Sequence, residues 1–313
     1  MALTLAQAAA TSTNMMGRGV MEVIATSSVV LDRLPFEDIE GNAFQYYSEN
    51  ALPGTEFRAV NAGYTESTGS LTSATESLVI LGGDADVDRY LQQTRSNLFD
   101  QRATQLTLKA KAVEAKFSDT FVNGNTGTDA NAFNGIKARL TGSQLLSAAT
   151  NGLTVNGSTD VLRQDFLDLL DGLIAAVPNC DVLYCNAAVL SKLRSAMRRL
   201  TIGTTQQDEL GRYVDTYNGI PIVDIGNKAD GTPIIPQTET QGSSSLASSI
   251  YAVHFGGGLA DQGVVGLSNG GMTVMDLGQL ETKPALRTRI EWYCGLALFG
   301  PRPAARLQGV LVA

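Results

Sequence analysis

One histidine, His254, serves the whole chain, and there are three cysteines, Cys180, Cys185 and Cys294. Proton-transfer catalysis and zinc binding both draw on imidazole more than on any other side chain, so a single histidine leaves little room for either. An odd number of widely placed thiols argues for a reducing compartment and against a disulfide scaffold. Charged residues make up only 17% of the sequence, and no lysine occurs before Lys109. So few charges on a chain of 313 residues imply that much of its surface is covered, by layers of its own fold or by other copies. No lysine follows a glycine and there is no G-x-G-x-x-G, which removes the P-loop and the dinucleotide fingerprint. No run approaches about eighteen apolar residues, so no membrane-spanning helix is expected. The opening MALTLAQAAATSTNMMGRGV has no basic stretch before its apolar residues and does not read as a signal peptide.

The charges that are present lean acidic. Lys+Arg number 23 against Asp+Glu 31, a net charge of −8. Duplex DNA gains affinity when lysine and arginine displace its counterions, so this surface is suited to lying near nucleic acid without gripping it. The length allows roughly two domains of ordinary size.

Residues 1–41 carry few charges, and 21–34 have the composition of a helix too small to bury its own face. Such a segment is an arm that packs on something else. Residues 42–85 are rich in Tyr, Thr and Val and read as a long β excursion around the polar tip NAGYTESTGS. A two-stranded ribbon is marginal alone in water, so this one needs a neighbour. Asp84, Asp86 and Asp88 then open a long helix in this reading. Its apolar stripe runs through Leu91, Leu98, Leu106, Val113, Phe117 and Phe121, and it stops at NGNTG, 123–127.

From about residue 158 the pattern becomes α/β. A helix with Leu162, Phe166, Leu169, Leu170, Leu173 and Val177 on one face stops at Pro178. DVLYC, 181–185, is a short buried strand, and Asn186 is placed to cap the helix that follows. Asn218-Gly219 suits a tight hairpin turn. Residues 237–249 read as a flexible loop by composition, and SIYAVHFG and GMTVMDLG as strands. The last strand alternates: Leu286, Thr288, Ile290, Trp292, Cys294, Leu296 and Leu298 share one face, and Arg287, Arg289 and Glu291 the other. That strand must return to a sheet begun much earlier.

Five motifs invite a chemical reading. GLSNG at 266–270 fits the nucleophile elbow around Ser268, but an elbow needs a helix after the serine and a histidine downstream. Here a strand follows, and His254 lies upstream. DADVDR at 84–89 resembles the start of a calcium loop, yet Arg89 and Arg95 stand where glycine and glutamate belong; carboxylates offsetting a helix dipole are the better reading. Cys180 and Cys185 are expected to point to opposite faces of their strand as structural thiols. Lys192, Arg194, Arg198 and Arg199 form a basic helix end, favourable near a C-terminus or facing a neighbour or a polyanion. Asn156-Gly157-Ser158 is a glycosylation triplet, idle without secretion. No catalytic, cofactor-binding or metal-binding residue is assigned, no cofactor is implied, and the chain does not read as an enzyme.

The order of these parts, with EWYCGLALFGPRPAARLQGV (291–310), NGI (134–136), NCDVLYCNAAVLSKLR (179–194) and YNGIPIVDIG (217–226), resembles the major capsid proteins of tailed bacteriophages, whose coat-protein fold is shared with herpesviruses and encapsulins. The resemblance implies an α+β fold with an N-arm at 1–41, an extended β-hairpin E-loop at 42–85, and a P domain with its spine helix at 86–157. An α/β A domain would follow at 158–267 and return strands of the P domain at 268–313, with Trp292 and its even-numbered neighbours buried beside the spine helix. It further implies self-assembly into pentamers and hexamers of an icosahedral virion shell around double-stranded DNA, built in the bacterial host cytoplasm. Scaffolding, portal and decoration proteins would be its partners, with no membrane. Some members cross-link an E-loop lysine to an asparagine; with no lysine in 42–85 that chemistry is not expected. Nor is there a long charged helical scaffolding segment at the N-terminus, which implies a separate scaffold or a processed chain. The rival readings are an encapsulin-like nanocompartment shell and, more distantly, a serine hydrolase using Ser268.

Overall fold

The computed structural model describes residues 3–4, 28–95, 101–201, 204–207, 213–256 and 261–312. Strand β1 (Leu3–Thr4) pairs with β2 (Pro35–Asp38). A ribbon follows, made of β3 (Ala43–Ala51) and β4 (Ser70–Ser77). Strand β5 (Val79–Asp88) leads into helices α1 (Arg89–Arg95) and α2 (Gln101–Asn123), and a short α3 (Ile136–Arg139) turns back. Next come β6 (Leu145–Ser147), β7 (Leu153–Thr154), α4 (Asp160–Ala176), β8 (Val182–Cys185) and α5 (Ala187–Leu200). The remainder is all strand: β9 (Thr204–Gln207), β10 (Tyr213–Tyr217), β11 (Ile220–Asp224), β12 (Glu239–Gln241), β13 (Ser244–Val253), β14 (Val264–Gln279), β15 (Ala285–Leu298) and β16 (Ala304–Leu311).

Two larger sheets result. One runs β1-β2-β14-β15-β5; the other runs β6-β16-β13-β8-β11-β10-β9, with β12 on β13 and β7 on β16. The larger core gathers side chains from α2, the first sheet and one face of the second: Phe117 and Phe121, Ile290 and Trp292, Tyr184 and Tyr251. Successive side chains of a strand face opposite ways. So Leu183 and Cys185 of β8 and Ile250 and Ala252 of β13 enter a second core, beneath α4 and α5.

Trp292 is fully buried. Its ring centroid lies 4.8 Å from Phe117 on α2 and 5.4 Å from Phe36 on β2. The alternation read from the sequence holds here: Thr288, Ile290, Trp292, Cys294 and Leu296 are all buried. Asn186 caps α5 as expected, its side-chain oxygen accepting from the Val189 N–H at 2.8 Å. Asn218 and Gly219 both take positive φ, 51° and 80°, which closes β10 onto β11 as a primed hairpin turn.

Four expectations are corrected. The long helix does not start at 84–86. Asp84, Asp86 and Asp88 lie on β5, whose ten residues from Val79 to Asp88 pair with β15. Only Asp88 serves the helix, accepting from the Tyr90 N–H at 2.7 Å. Of the proposed stripe, Leu106, Val113, Phe117 and Phe121 are buried, Leu91 is exposed, and Leu98 lies outside the described residues. Residues 237–249 are a hairpin of β12 and β13 rather than a loop; Ala247, Ser248 and Ser249 are fully buried, because β13 is an interior strand paired with β12 and β16. In the arm, 21–27 lie outside the described residues, and 29–33 form a turn rather than a helix. Strand β16 lies inside the second sheet between β13 and β6.

On the outer face of β5 and β15 the acidic run meets the basic one. Arg289 donates to both Asp84 oxygens at 2.7 and 3.0 Å, and Arg287 to both Asp86 oxygens at 2.7 and 2.8 Å. Lys283 adds a contact to Asp86 at 2.8 Å. Hydrogen bonds from Arg289 hold the Asp84 carboxyl below its usual range, and those from Arg287 and Lys283 hold Asp86 well below it. Because both carboxyls are depressed in the folded state, their stabilisation is present above about pH 4, the unfolded value, and fades as pH falls toward the folded values. Melting temperature should therefore drop below about pH 4, and less steeply in a D84N/D86N chain; parallel pH profiles for the two would refute this ladder's part in acid stability.

Candidate assembly surfaces

Ser268 lies on β14 and is buried. Its hydroxyl accepts from the Trp292 indole N–H at 3.1 Å, and its carbonyl accepts from the Ile39 N–H. The strand continues to Gln279, with no helix after the serine. His254 is engaged elsewhere: Nδ1 sits 2.7 Å from Asp181 and Nε2 3.3 Å from Asp261. Ser268 is thus a packing partner for the buried indole, and the elbow reading fails on geometry. The calcium-loop resemblance fails as well, because Asp84 and Asp86 are taken by arginines. No cluster of metal-ligating side chains occurs among the described residues.

All three cysteines are free thiols. Burial pushes Cys180 up to about 11 and Cys294 up to about 12, and raises Cys185 further still. Such thiols stay protonated and inert at neutral pH. Cys180 precedes β8 rather than lying on it, and it packs against the same core as Cys185; the opposite-face expectation fails because the strand begins at Val182. Asn156 of the glycosylation triplet is occupied within the fold, bridging Arg163 at 2.9 Å and Ser195 at 3.2 Å.

What the fold leaves uncovered is the ribbon. Leu52, Phe57, Val60, Tyr64 and Leu71 are exposed, Phe57 completely and Val60 at 91%. Apolar exposure on this scale marks a surface meant to be covered. The tip nevertheless has its own order. The Arg58 guanidinium lies 5.3 Å above the Tyr64 ring and donates to the Ala62 carbonyl, and Ser67 Oγ donates to the Gly54 carbonyl at 2.8 Å.

The root of the ribbon is clamped. Tyr46 is buried edge-on against Phe299 at 4.8 Å, in a small core with Ile39, Val265, Leu267 and Ala297. Arg139 on α3 donates to both Glu76 oxygens and reaches the Leu296 carbonyl at 3.1 Å. A forked guanidinium holding a carboxylate fixes orientation as well as distance. The clamp therefore sets the direction in which the ribbon leaves the body. Sequence reasoning missed it, since Arg139 and Glu76 are 63 positions apart.

The basic helix end is on α5. Arg194 pairs with Asp215 of β10, and Arg198 Nε donates to the Arg194 carbonyl at 3.4 Å. Beyond the ladder, β5 and β15 leave a cavity of about 400 Å³ lined by Ile80, Gly82, Gly83, Asp84, Arg289 and Glu291. Residue 82 in its lining is held to glycine by the close approach of β15: a Cβ there would fall 2.2 Å from the Ile290 carbonyl oxygen.

Comparison with known proteins agrees with this geometry. The family described as "Major capsid protein GP7" matches residues 14–161. No curated protein matches the chain in sequence. Among solved structures, the holo-SrpI encapsulin complex from Synechococcus elongatus is similar at TM-score 0.66 and 17% identity, over 91% of this chain and 88% of that one. The capsid of a native GTA particle is similar at TM-score 0.60 and 15% identity, over 90% and 89%. A chain of Mycobacterium phage Bobi is similar at TM-score 0.59 and 13% identity, over 90% and 89%. The chain thus has the coat-protein fold of these capsid and encapsulin structures, and over residues 14–161 it is similar to the major capsid protein family.

Replacing Arg139 with alanine should free the ribbon while the body stays folded. Proteolysis or amide exchange within 43–77 should quicken, with β13 and β15 unchanged; unaltered ribbon protection would show that the clamp is dispensable. Ser268→Ala should cost about 1–3 kcal/mol in a denaturant melt, because the buried indole N–H loses its acceptor.

Proposed function

We propose that this is the major capsid protein of a tailed phage, forming pentamers and hexamers of an icosahedral shell around double-stranded DNA. One observation carries the reading: a ribbon clamped at its root carries Leu52, Phe57, Val60, Tyr64 and Leu71 without a cover in the single chain. Other copies supply that cover. A shell reuses each contact many times, so modest complementarity per copy suffices. An acidic wall, net −8, lets DNA pack against it without sticking. On this reading 1–41 are the N-arm, 42–85 the E-loop, its last residues entering β5 at Val79, and the first sheet with α2 the P domain. The second sheet with α4 and α5 is the A domain, which takes in β16. Scaffolding, portal and decoration proteins are the expected partners, in the host cytoplasm during assembly and in the virion afterwards.

An encapsulin-like compartment is the second reading, favoured by the TM-score of 0.66 to an encapsulin. The two separate on content: purified particles should hold nuclease-protected DNA, and protein cargo in its place would favour the compartment. Replacing the tip, residues 52–69, with a short glycine turn should leave a soluble, folded subunit that closes no stable shell under electron microscopy. Normal shells from that chain would remove the ribbon from its role.

A further inference from the structure

Helices α4 and α5 cover one face of the second sheet, over the same core. Helix α4 packs on β16 and β7, and α5 on β11. Their charges are segregated. Helix α4 carries Asp160, Asp165, Asp168 and Asp171 with one cation, Arg163, which is buried and paired to Asp160. Helix α5 carries Lys192, Arg194, Arg198 and Arg199 and no carboxylate at all.

Among the described residues these stripes are largely left without ionic partners. Among the described residues no ion pair joins the two helices, although Asn156 bridges them through Arg163 and Ser195. Asp165 and Asp168 are exposed and make no ion pair among the described residues; nor do Lys192, Arg198 and Arg199. Asp171 takes a hydrogen bond from Asn218, and Arg194 is held by Asp215. Like charges three and four positions apart on a helix repel. Each stripe is thus a small cost in the lone subunit that an oppositely charged surface would offset. Apolar side chains accompany both: Val161 is 64% exposed on α4, and Tyr213 is 78% exposed on β10, the strand Arg194 reaches through Asp215.

We propose that the occupant of this face is a second copy of the chain, seated so that its acidic α4 lies against the basic α5 of its neighbour. The contact joins two different patches, the head-to-tail kind that builds a ring when its rotation closes. Complementary charge of this kind fixes register and rejects wrong pairings more than it adds raw affinity. The inference rests on the shell reading and names the surfaces by which subunits of one ring recognise each other.

Charge reversal tests it. A D165K/D168K chain and an R198E/R199E chain should each fold, with circular-dichroism melts near wild type, and each should lower shell yield by about tenfold or more, the effect of roughly 1.4 kcal/mol per contact. Combining all four changes in one chain should restore assembly toward wild type, because attraction returns with its sign swapped. Wild-type yield from either double variant, or a four-change chain as impaired as the doubles, overturns the proposal while leaving the shell reading intact. Normal R198E/R199E shells that hold less DNA overturn it too, and assign α5 to the packaged polyanion. A wild-type chain that stays monomeric overturns both readings together.

Discussion

The structure depends on one crossing, where α2 lies over the first sheet and Trp292 meets Phe117 and Phe36. A helix of 23 residues, about 35 Å long, cannot be positioned by its own sequence. It is positioned by the large side chains it must bury. Trp292 also needs a partner for its N–H, and Ser268 on the adjoining strand supplies it. That serine looks catalytic only when the chain is read without its neighbours. In the fold, its hydroxyl completes the burial of the chain's single tryptophan.

From this crossing the remaining architecture follows by layers. The first sheet is pinned to α2 on one side and presents an ionic ladder on the other. The second sheet shares the same core through Tyr184 and Tyr251 and builds its own beneath α4 and α5. The ribbon leaves from the seam where α3, β4 and β15 meet, held by Arg139. A rigid body with a directed apolar projection is the geometry of a component. Its energetics are incomplete alone, because the ribbon's exposed side chains gain nothing until something covers them.

Features set by local chemistry were legible in the sequence. The Asn186 cap, the Asn218-Gly219 turn and the alternation of β15 each depend on a few neighbouring residues and one backbone rule. Features set by distant partners were not. Asp84, Asp86 and Asp88 resemble a helix start, and only Arg287 and Arg289, about two hundred positions later, make them a strand. Residues 237–249 have the composition of a loop, since serine, threonine and glutamine are common there; their burial follows from the close approach of β16, which composition does not encode. The apolar ribbon was visible as a stretch needing a neighbour, but its anchor was not, because an arginine–glutamate pair leaves no periodic trace.

Strands β15 and β16 come late in the chain, yet both occupy interior positions in their sheets, one between β14 and β5 and the other between β13 and β6. Neither sheet can close until these residues have emerged from the ribosome. The seam that orients the ribbon includes the Leu296 carbonyl, so it too waits for them. Translation itself thereby acts as a timer. A half-made subunit has no fixed projection to offer.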